Sequence, residues 1–273
     1  MNSSIAVTKS SFDVHLSGVR FRAERLELEP VSGLNDKPTL VFLHEGLGSI
    51  AQWGSFPSDL CAATGCPGFL YERRGYGRSD PYPGEWPMDY LEGETDFIHG
   101  VLQGCNVKNP ILIGHSDGGT IALLYASRHS DKLKGVITEA AHIFIEDVTL
   151  NGISEAVGVY ENTGLKEKLA KYHGDKTDAV FRRWANRWLD PGFRGWNVES
   201  SLAGITCPLV VIQGKADEYA TLAQVEGIIS QVSGPVKGVI IEDCRHVPHH
   251  QARKRVIEEM AAFIKHIVGT PIK

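Results

Sequence analysis

The chain has 273 residues, 42% of them hydrophobic and 22% charged. That is enough for one large core with an accessory lobe, in proportions ordinary for a soluble globular protein. A formal charge of −5 with no basic run gives no electrostatic support to a nucleic-acid partner, and no apolar stretch reaches the length of a membrane span.

The opening residues, Met1 to Lys9, lack a basic start followed by an apolar core, so no signal peptide is expected. The five cysteines, Cys61, Cys66, Cys105, Cys207 and Cys244, are odd in number and scattered. That usage fits reduced thiols and a cytoplasmic protein. Phe12 to Leu28 alternates apolar and polar residues around Ser17-Gly18 and predicts an antiparallel hairpin at a sheet edge. Pro30 to Pro38 reads as a loop. Thr39 to Leu43 is a continuous apolar run, the pattern of a strand covered on both faces. It leads into the loop His44-Glu45-Gly46-Leu47-Gly48-Ser49 and a helix from about Ala51 to Ala63. A strand over Gly68 to Glu72 precedes the turn Arg73 to Asp80 and a proline-rich loop from Pro81 to Pro87. A helix from Asp89 to about Gln103 follows, with Leu91, Thr95, Ile98 and Leu102 on one face. Ile111 to Gly114 and Gly135 to Glu139 are further buried strands, separated by a helix that starts directly after Ser116.

The strand–helix rhythm breaks at His142 and resumes at Pro208 to Gly214. A helix near Leu222 to Gln231, a last strand over Val236 to Glu242 and a closing helix from about His250 to Val268 complete the chain. The predicted fold class is α/β: a mostly parallel, eight-stranded twisted sheet with helices on both faces. Residues 1–141 and 206–273 form the core, and the helical, Trp-rich insertion 142–205 forms a cap. Ligands of such sheets bind beyond the carboxyl ends of the strands, where the loops after Leu43, Gly114 and Gln213 emerge.

Gly114-His115-Ser116-Asp117-Gly118 is a G-x-S-x-G sequence between a strand and a helix, the pattern that puts a serine on a tight, strained turn. The turn sets Ser116 at a helix N-terminus, where free N–H groups favour developing negative charge. A serine needs a base held in one tautomer. His246, just past the last strand, is the best candidate; His249 and His250 fall at the start of the final helix and read as surface or capping residues. His115 is expected to pack or hydrogen-bond beneath the turn. The orienting acid is assigned to Asp217, with Glu218 and Glu139 as alternatives. The backbone N–H groups of Asp117 and Glu45 are the expected oxyanion donors. His44, Trp53, His142, Phe144, Trp184, Trp188 and Tyr219 are candidates to line an apolar pocket. Arg182, Arg183 and Arg187 read as a solvated face.

The order Ser116, Asp217, His246, together with the elbow, the His44 loop and the Arg74-Gly75-Tyr76-Gly77-Arg78-Ser79 turn, resembles the α/β-hydrolase superfamily over nearly the whole chain. The likeness is to its capped branch of serine esterases and C–C bond hydrolases. The resemblance implies a serine hydrolase that cleaves a small carboxylic ester through a Ser-His-Asp triad and an acyl-enzyme, with no cofactor and no metal. Its implied partner is a small-molecule substrate, with no nucleic acid and no membrane; a homodimer stays open. The alternatives are a C–C bond hydrolase of vinylogous diketones and a non-catalytic small-molecule-binding protein on the same fold. Two departures stand out. Glu45 follows His44 where the superfamily usually has glycine, and Asp117 follows the nucleophile where an apolar residue or glutamine is common. Either the two carboxylates turn away and pair with Arg73, Arg74 or backbone donors, or they hold a cationic or donor group of the substrate.

Overall fold

The structure is a computed structural model that describes residues 6–29 and 37–269; residues 30–36 of the loop expected at Pro30 to Pro38 lie outside these. The hairpin is β1 (Ala6–Leu16) and β2 (Val19–Glu29), paired in register from Leu16↔Val19 outward. Ser17 and Gly18 both have positive φ, 50° and 75°, the two-residue turn whose twist matches that of the strands. The buried positions of β2 change face along its length. Val19, Phe21 and Ala23 join the core on one side of the sheet, and Leu26 and Leu28 the core on the other.

Five strands follow with every residue buried: β3 (Leu40–Leu43), β4 (Gly68–Tyr71), β5 (Ile111–His115), β6 (Gly135–Glu139) and β7 (Leu209–Gly214). Their continuous apolar runs match burial on both faces. β8 (Val236–Ile241) closes the sheet as a more exposed edge. The strand order is β1-β2-β4-β3-β5-β6-β7-β8. The pairs β1/β2 and β2/β4 are antiparallel and all the others are parallel. The chain leaves β3 toward β4 and β5 toward β6, in opposite directions across the sheet, so the loops after β3 and β5 diverge and open a crevice at the carboxyl end.

One face is covered by α2 (Tyr90–Gly104), α3 (Asp117–His129) and α7 (Ala223–Gln231), the other by α1 (Phe56–Thr64) and α9 (Arg253–Gly269). Two helices expected as single runs are broken. The first is a 3₁₀ turn, Ala51–Trp53, that ends at Gly54 with φ 60°, and α1 restarts with proline in its first turn. The last has a short α8 (Pro248–Gln251) set off from α9 at Ala252, whose φ of −127° leaves the helical region.

Between β6 and β7 lie the cap helices α4 (Asp147–Asn162), α5 (Leu165–His173) and α6 (Thr177–Trp188). α6 buries Val180, Phe181, Trp184, Ala185 and Trp188, one helical stripe. Its arginines are not the uniform solvated face that the sequence predicts. Arg182 pairs with Glu161 at the surface, but Arg183 donates to the carbonyls of Gly84 (2.7 Å) and Tyr82 (2.8 Å), and Arg187 to that of Trp86. These two clamp the cap onto the proline-rich loop. His173 of α5 adds a second tie, at 3.0 Å from both the Leu47 carbonyl and the Gly77 amide.

The neck between β5 and α3 has no spare space. A Cβ on Gly114 would stand 2.1 Å from the Gly118 carbonyl oxygen, and one on Gly118 would stand 2.1 Å from the Leu43 carbonyl oxygen. Both obstacles are backbone, which cannot rotate away. Gly118→Ala is therefore expected to cost about 1–3 kcal/mol of stability, read as a lower urea midpoint at unchanged slope; a midpoint equal to that of the parent would show that the neck can open.

Candidate active site

β5 ends at His115 and α3 begins at Asp117, which leaves Ser116 at φ 51°, ψ −118°. A non-glycine residue holds that conformation only when its surroundings impose it. Here the Ser116 N–H donates to the Glu139 carbonyl at 2.8 Å, and the glycine neck supplies the rest. The hydroxyl faces the loop after β8, where His246 Nε2 lies 3.0 Å from Ser116 Oγ. On the far side of the ring, Nδ1 is 2.9 Å from both carboxylate oxygens of Asp217, which sits in the loop after β7. A carboxylate only accepts, so Nδ1 carries the proton and Nε2 presents its lone pair to the serine hydroxyl.

Asp217 is itself held. Gln213 Nε2 donates to one of its oxygens at 2.6 Å and the Tyr219 amide to the other at 2.8 Å. Burial alone would raise its pKa, but the neighbouring His246 outweighs that and holds the carboxyl below its ordinary range. The His246 backbone is gripped from both sides. Its N–H donates to Glu218 Oε2 (3.1 Å), and its carbonyl accepts from His115 Nε2 (2.7 Å). Glu218 thus supports the loop rather than the imidazole, and His115 hydrogen-bonds beneath the turn as its position implies.

The other alternative acid, Glu139, is taken by a different histidine. His249 Nδ1 and its backbone N–H lie 2.9 and 3.0 Å from Glu139 Oε2. His249 is buried and packs on Trp53 at 4.6 Å, which corrects the surface or capping role read from the sequence. Pro248 opens α8, and the next residue, His249, reaches the end of β6. His250 does face outward, with Nε2 at 3.0 Å from the Gln52 carbonyl.

A cavity of about 290 Å³ opens in front of Ser116. Of the residues proposed to line it, His142, Trp184, Trp188 and Tyr219 do, as do Glu45 and Asp117. Three others do not. Trp53 lies in the core on the α1 side of the sheet, against Phe42 and Phe56, because the 3₁₀ turn carries it past the crevice. His44 is buried, its Nδ1 2.8 Å from the Glu45 carbonyl and its Nε2 accepting the Arg73 amide at 3.1 Å. Burial and the Arg73 charge push its pKa down to about 3, so it is a neutral strut. Phe144 forms an isolated bridge with Asn197, and its carbonyl accepts from Gln224, which places it in the neck of the cap. Ile153 and Leu169 of the cap also line it. Nothing in the sequence singled them out, since which turn of a cap helix faces the core depends on how that helix docks. The loop of Glu45 passes directly under the cap. A Cβ on Gly46 would meet Trp184 Cδ1 at 2.5 Å, so only glycine lets the indole rest there.

Both unusual carboxylates have partners within the chain. Asp117, fully buried, has Arg73 Nη2 at 3.7 Å and accepts from the Tyr90 hydroxyl at 3.2 Å; burial raises its pKa, against the Arg73 charge. Glu45 Oε2 lies 3.6 Å from His115 Nδ1. Burial opposes its ionisation, yet the His115 contact holds its pKa below the ordinary range. No group of three His, Cys, Asp or Glu side chains among the described residues is arranged to hold a metal ion.

The Glu139–His249 pair yields a pH prediction. Burial would raise the Glu139 pKa from its ordinary 4.5, but His249 holds it lower. A carboxyl whose folded pKa is depressed stabilises the fold above its unfolded pKa and loses that contribution as pH falls through the folded one. Burial holds the His249 pKa below its ordinary 6.5, so at pH 7 a neutral ring donates to the carboxylate, and Glu139→Gln should cost about 1–3 kcal/mol, with a gap to the parent that narrows below about pH 4.5. Urea unfolding from pH 7 to 3 reads it, and a gap constant with pH would mean that the Glu139 charge contributes nothing to the fold.

The sequence profile of the Alpha/beta hydrolase family matches residues 40–259. Among curated relatives, human Serine hydrolase BPHL is 24% identical over 174 residues, 60% of this chain and 58% of that protein's length. 3-Oxoadipate enol-lactonase 1 of Acinetobacter baylyi is 25% identical over 217 residues, 72% of this chain and 78% of the other. Among solved structures, an enol-lactonase from Burkholderia xenovorans LB400 superposes with a TM-score of 0.72 at 16% identity, covering 92% of this chain and 99% of that one. At such identity the superposition speaks for the fold alone. No described helix is long and apolar enough to cross a membrane.

Proposed function

The chain belongs to the alpha/beta hydrolase family, and from that premise we propose that it is a serine hydrolase acting on a small carboxylic ester. The observation that carries this reading is the continuous line Asp217–His246–Ser116, with spacings of 2.9 and 3.0 Å, on the wall of a mostly apolar cavity. A cavity of about 290 Å³ is at the small end for a ligand site, so the acyl group is short.

In the proposed reaction Ser116 Oγ attacks the ester carbonyl carbon as His246 Nε2 takes its proton. Asp217 steadies the imidazolium through Nδ1–H. The charge that develops on the carbonyl oxygen is received by the backbone N–H groups of Asp117, at the N-terminus of α3, and Glu45, in the loop after β3. Collapse of the tetrahedral intermediate breaks the bond to the alcohol oxygen, which leaves with the proton from Nε2. Water then attacks the acyl-enzyme with His246 again as base, and the carboxylic acid is released. BPHL is called a serine hydrolase and the Acinetobacter protein an enol-lactonase. Both names describe cleavage of an acyl–oxygen bond or use of a serine, in keeping with the proposal.

Hydrolysis of p-nitrophenyl esters from acetyl to octanoyl tests it. Turnover should be best for short acyl chains and abolished in Ser116→Ala, and Asp217→Asn should lower kcat by about 10³–10⁴-fold through the wrong imidazole tautomer. Activity that survives Ser116→Ala would refute the proposal.

A further inference from the structure

Beneath the site lies a charge that the acyl-transfer steps do not use. Arg73 follows β4 by two residues, and its side chain is 2% exposed. Removing a guanidinium from water is costly unless its surroundings repay it. Its surroundings are the two segments that flank the carbonyl-binding corner. Nη2 donates to the Glu45 carbonyl at 2.9 Å and lies 3.5 Å from that of His44. The same nitrogen stands 3.7 Å from Asp117 Oδ2. The Arg73 amide donates to His44 Nε2 at 3.1 Å, and the guanidinium lies over the Tyr76 ring at 4.5 Å. Tyr76 in turn donates its hydroxyl to the Gly46 carbonyl at 3.1 Å. The loop after β3 and the first residue of α3 are thus joined through one side chain that comes from neither.

Charge balance gives this joint a second consequence. Asp117 brings a carboxylate to the helix end that would receive the oxyanion, and two like charges at close range in a low dielectric oppose each other strongly. Arg73 Nε and Nη1 and Asp117 Oδ1 have no hydrogen-bond partner, and the two charges meet through Nη2 and Oδ2 at 3.7 Å. Of the other carboxyls near them, Glu45 is paired with His115, and Glu94 is pushed by burial up to about 7 and contributes only part of a charge at neutral pH. The cation that offsets Asp117 is Arg73.

We propose that Arg73 is the positioning residue of the oxyanion hole: it ties the Glu45 loop to the N-terminus of α3 and cancels the Asp117 charge, so that the two amides face the carbonyl oxygen in a site free of net negative charge. The proposal rests on the serine-hydrolase reading above. It does not make Arg73 a proton donor or a substrate contact.

The test compares the parent with Arg73→Met, Arg73→Lys and the double variant Arg73→Met/Asp117→Asn. A fluorophosphonate counts the enzyme molecules with a reactive Ser116, and kcat per labelled site and KM are measured on p-nitrophenyl butyrate. An alkyl boronic acid, which forms a tetrahedral anion on serine, reports affinity for the charged intermediate. Arg73→Met should lower kcat per site about 100-fold, with KM within about threefold, and weaken the boronate in parallel. The double variant should recover about tenfold of that loss, because the unpaired carboxylate is gone. Arg73→Lys keeps the cation but not the reach to the Glu45 carbonyl; it should fall between parent and Arg73→Met, and the same readouts are taken on it if the methionine variant does not fold. A role confined to stability would lower the labelled fraction and leave kcat per site and boronate affinity unmoved, which would overturn the proposal. A parent that neither labels at Ser116 nor turns over would instead overturn the serine-hydrolase reading beneath it.

Discussion

The structure depends on how closely α3 approaches the end of β3. With Gly118 against the Leu43 carbonyl and Gly114 against the Gly118 carbonyl, the backbone between strand and helix has one way to turn. That turn puts Ser116 at positive φ with its hydroxyl pointing out of the sheet. Packing against backbone is the reason the strain holds: there is no side chain to rotate and relieve it. The crevice above exists because β3 lies between β4 and β5, so that the chain leaves β3 and β5 in different directions.

Around this turn, four of the buried histidines divide the work without competing. His246 faces Ser116 and Asp217. His115 supports it from below through its carbonyl. His249 is engaged by Glu139, and His44 is held neutral between the Glu45 carbonyl and the Arg73 amide. Four carboxylates near the site have a partner each: Asp217 with His246, Glu139 with His249, Glu45 with His115 and Asp117 with Arg73. In a low-dielectric interior such pairing is a condition for burying so many ionisable groups together. It also means that a substitution at one member leaves a charge elsewhere, and effects are expected to couple across the set.

The cap is joined to the core by polar contacts at its rim and apolar contacts at its centre. Arg183 and Arg187 grip carbonyls of the loop after β4, and His173 bridges the Leu47 and Gly77 backbones. Trp184 and Trp188 roof the cavity. Because His173 reaches the same loop that carries Glu45, cap position and the geometry of that loop are mechanically linked.

Much of this was legible in the sequence. Apolar runs buried on both faces and their alternation with helices determined a mostly parallel sheet, because such strands have no other way to hide their side chains. The glycine pattern around Ser116 marked the turn, because only glycine tolerates that contact. The order of strand ends put Asp217 and His246 within reach of Ser116. Tertiary structure alone decided the rest. Which histidine meets which acid depended on the course of the chain from His246 into α8, which brings His249 to Glu139 and His246 to Asp217. Trp53, His44 and Phe144 are aromatic side chains near strand ends, but composition does not say on which side of a loop a ring falls, and all three point away from the cavity. Ile153 and Leu169 entered it through the docking of helices whose local sequence is the same whichever way they rotate. Arg73 was legible only as one of two arginines that could pair with the unusual carboxylates; its hold on the carbonyls of His44 and Glu45 was decided by the fold.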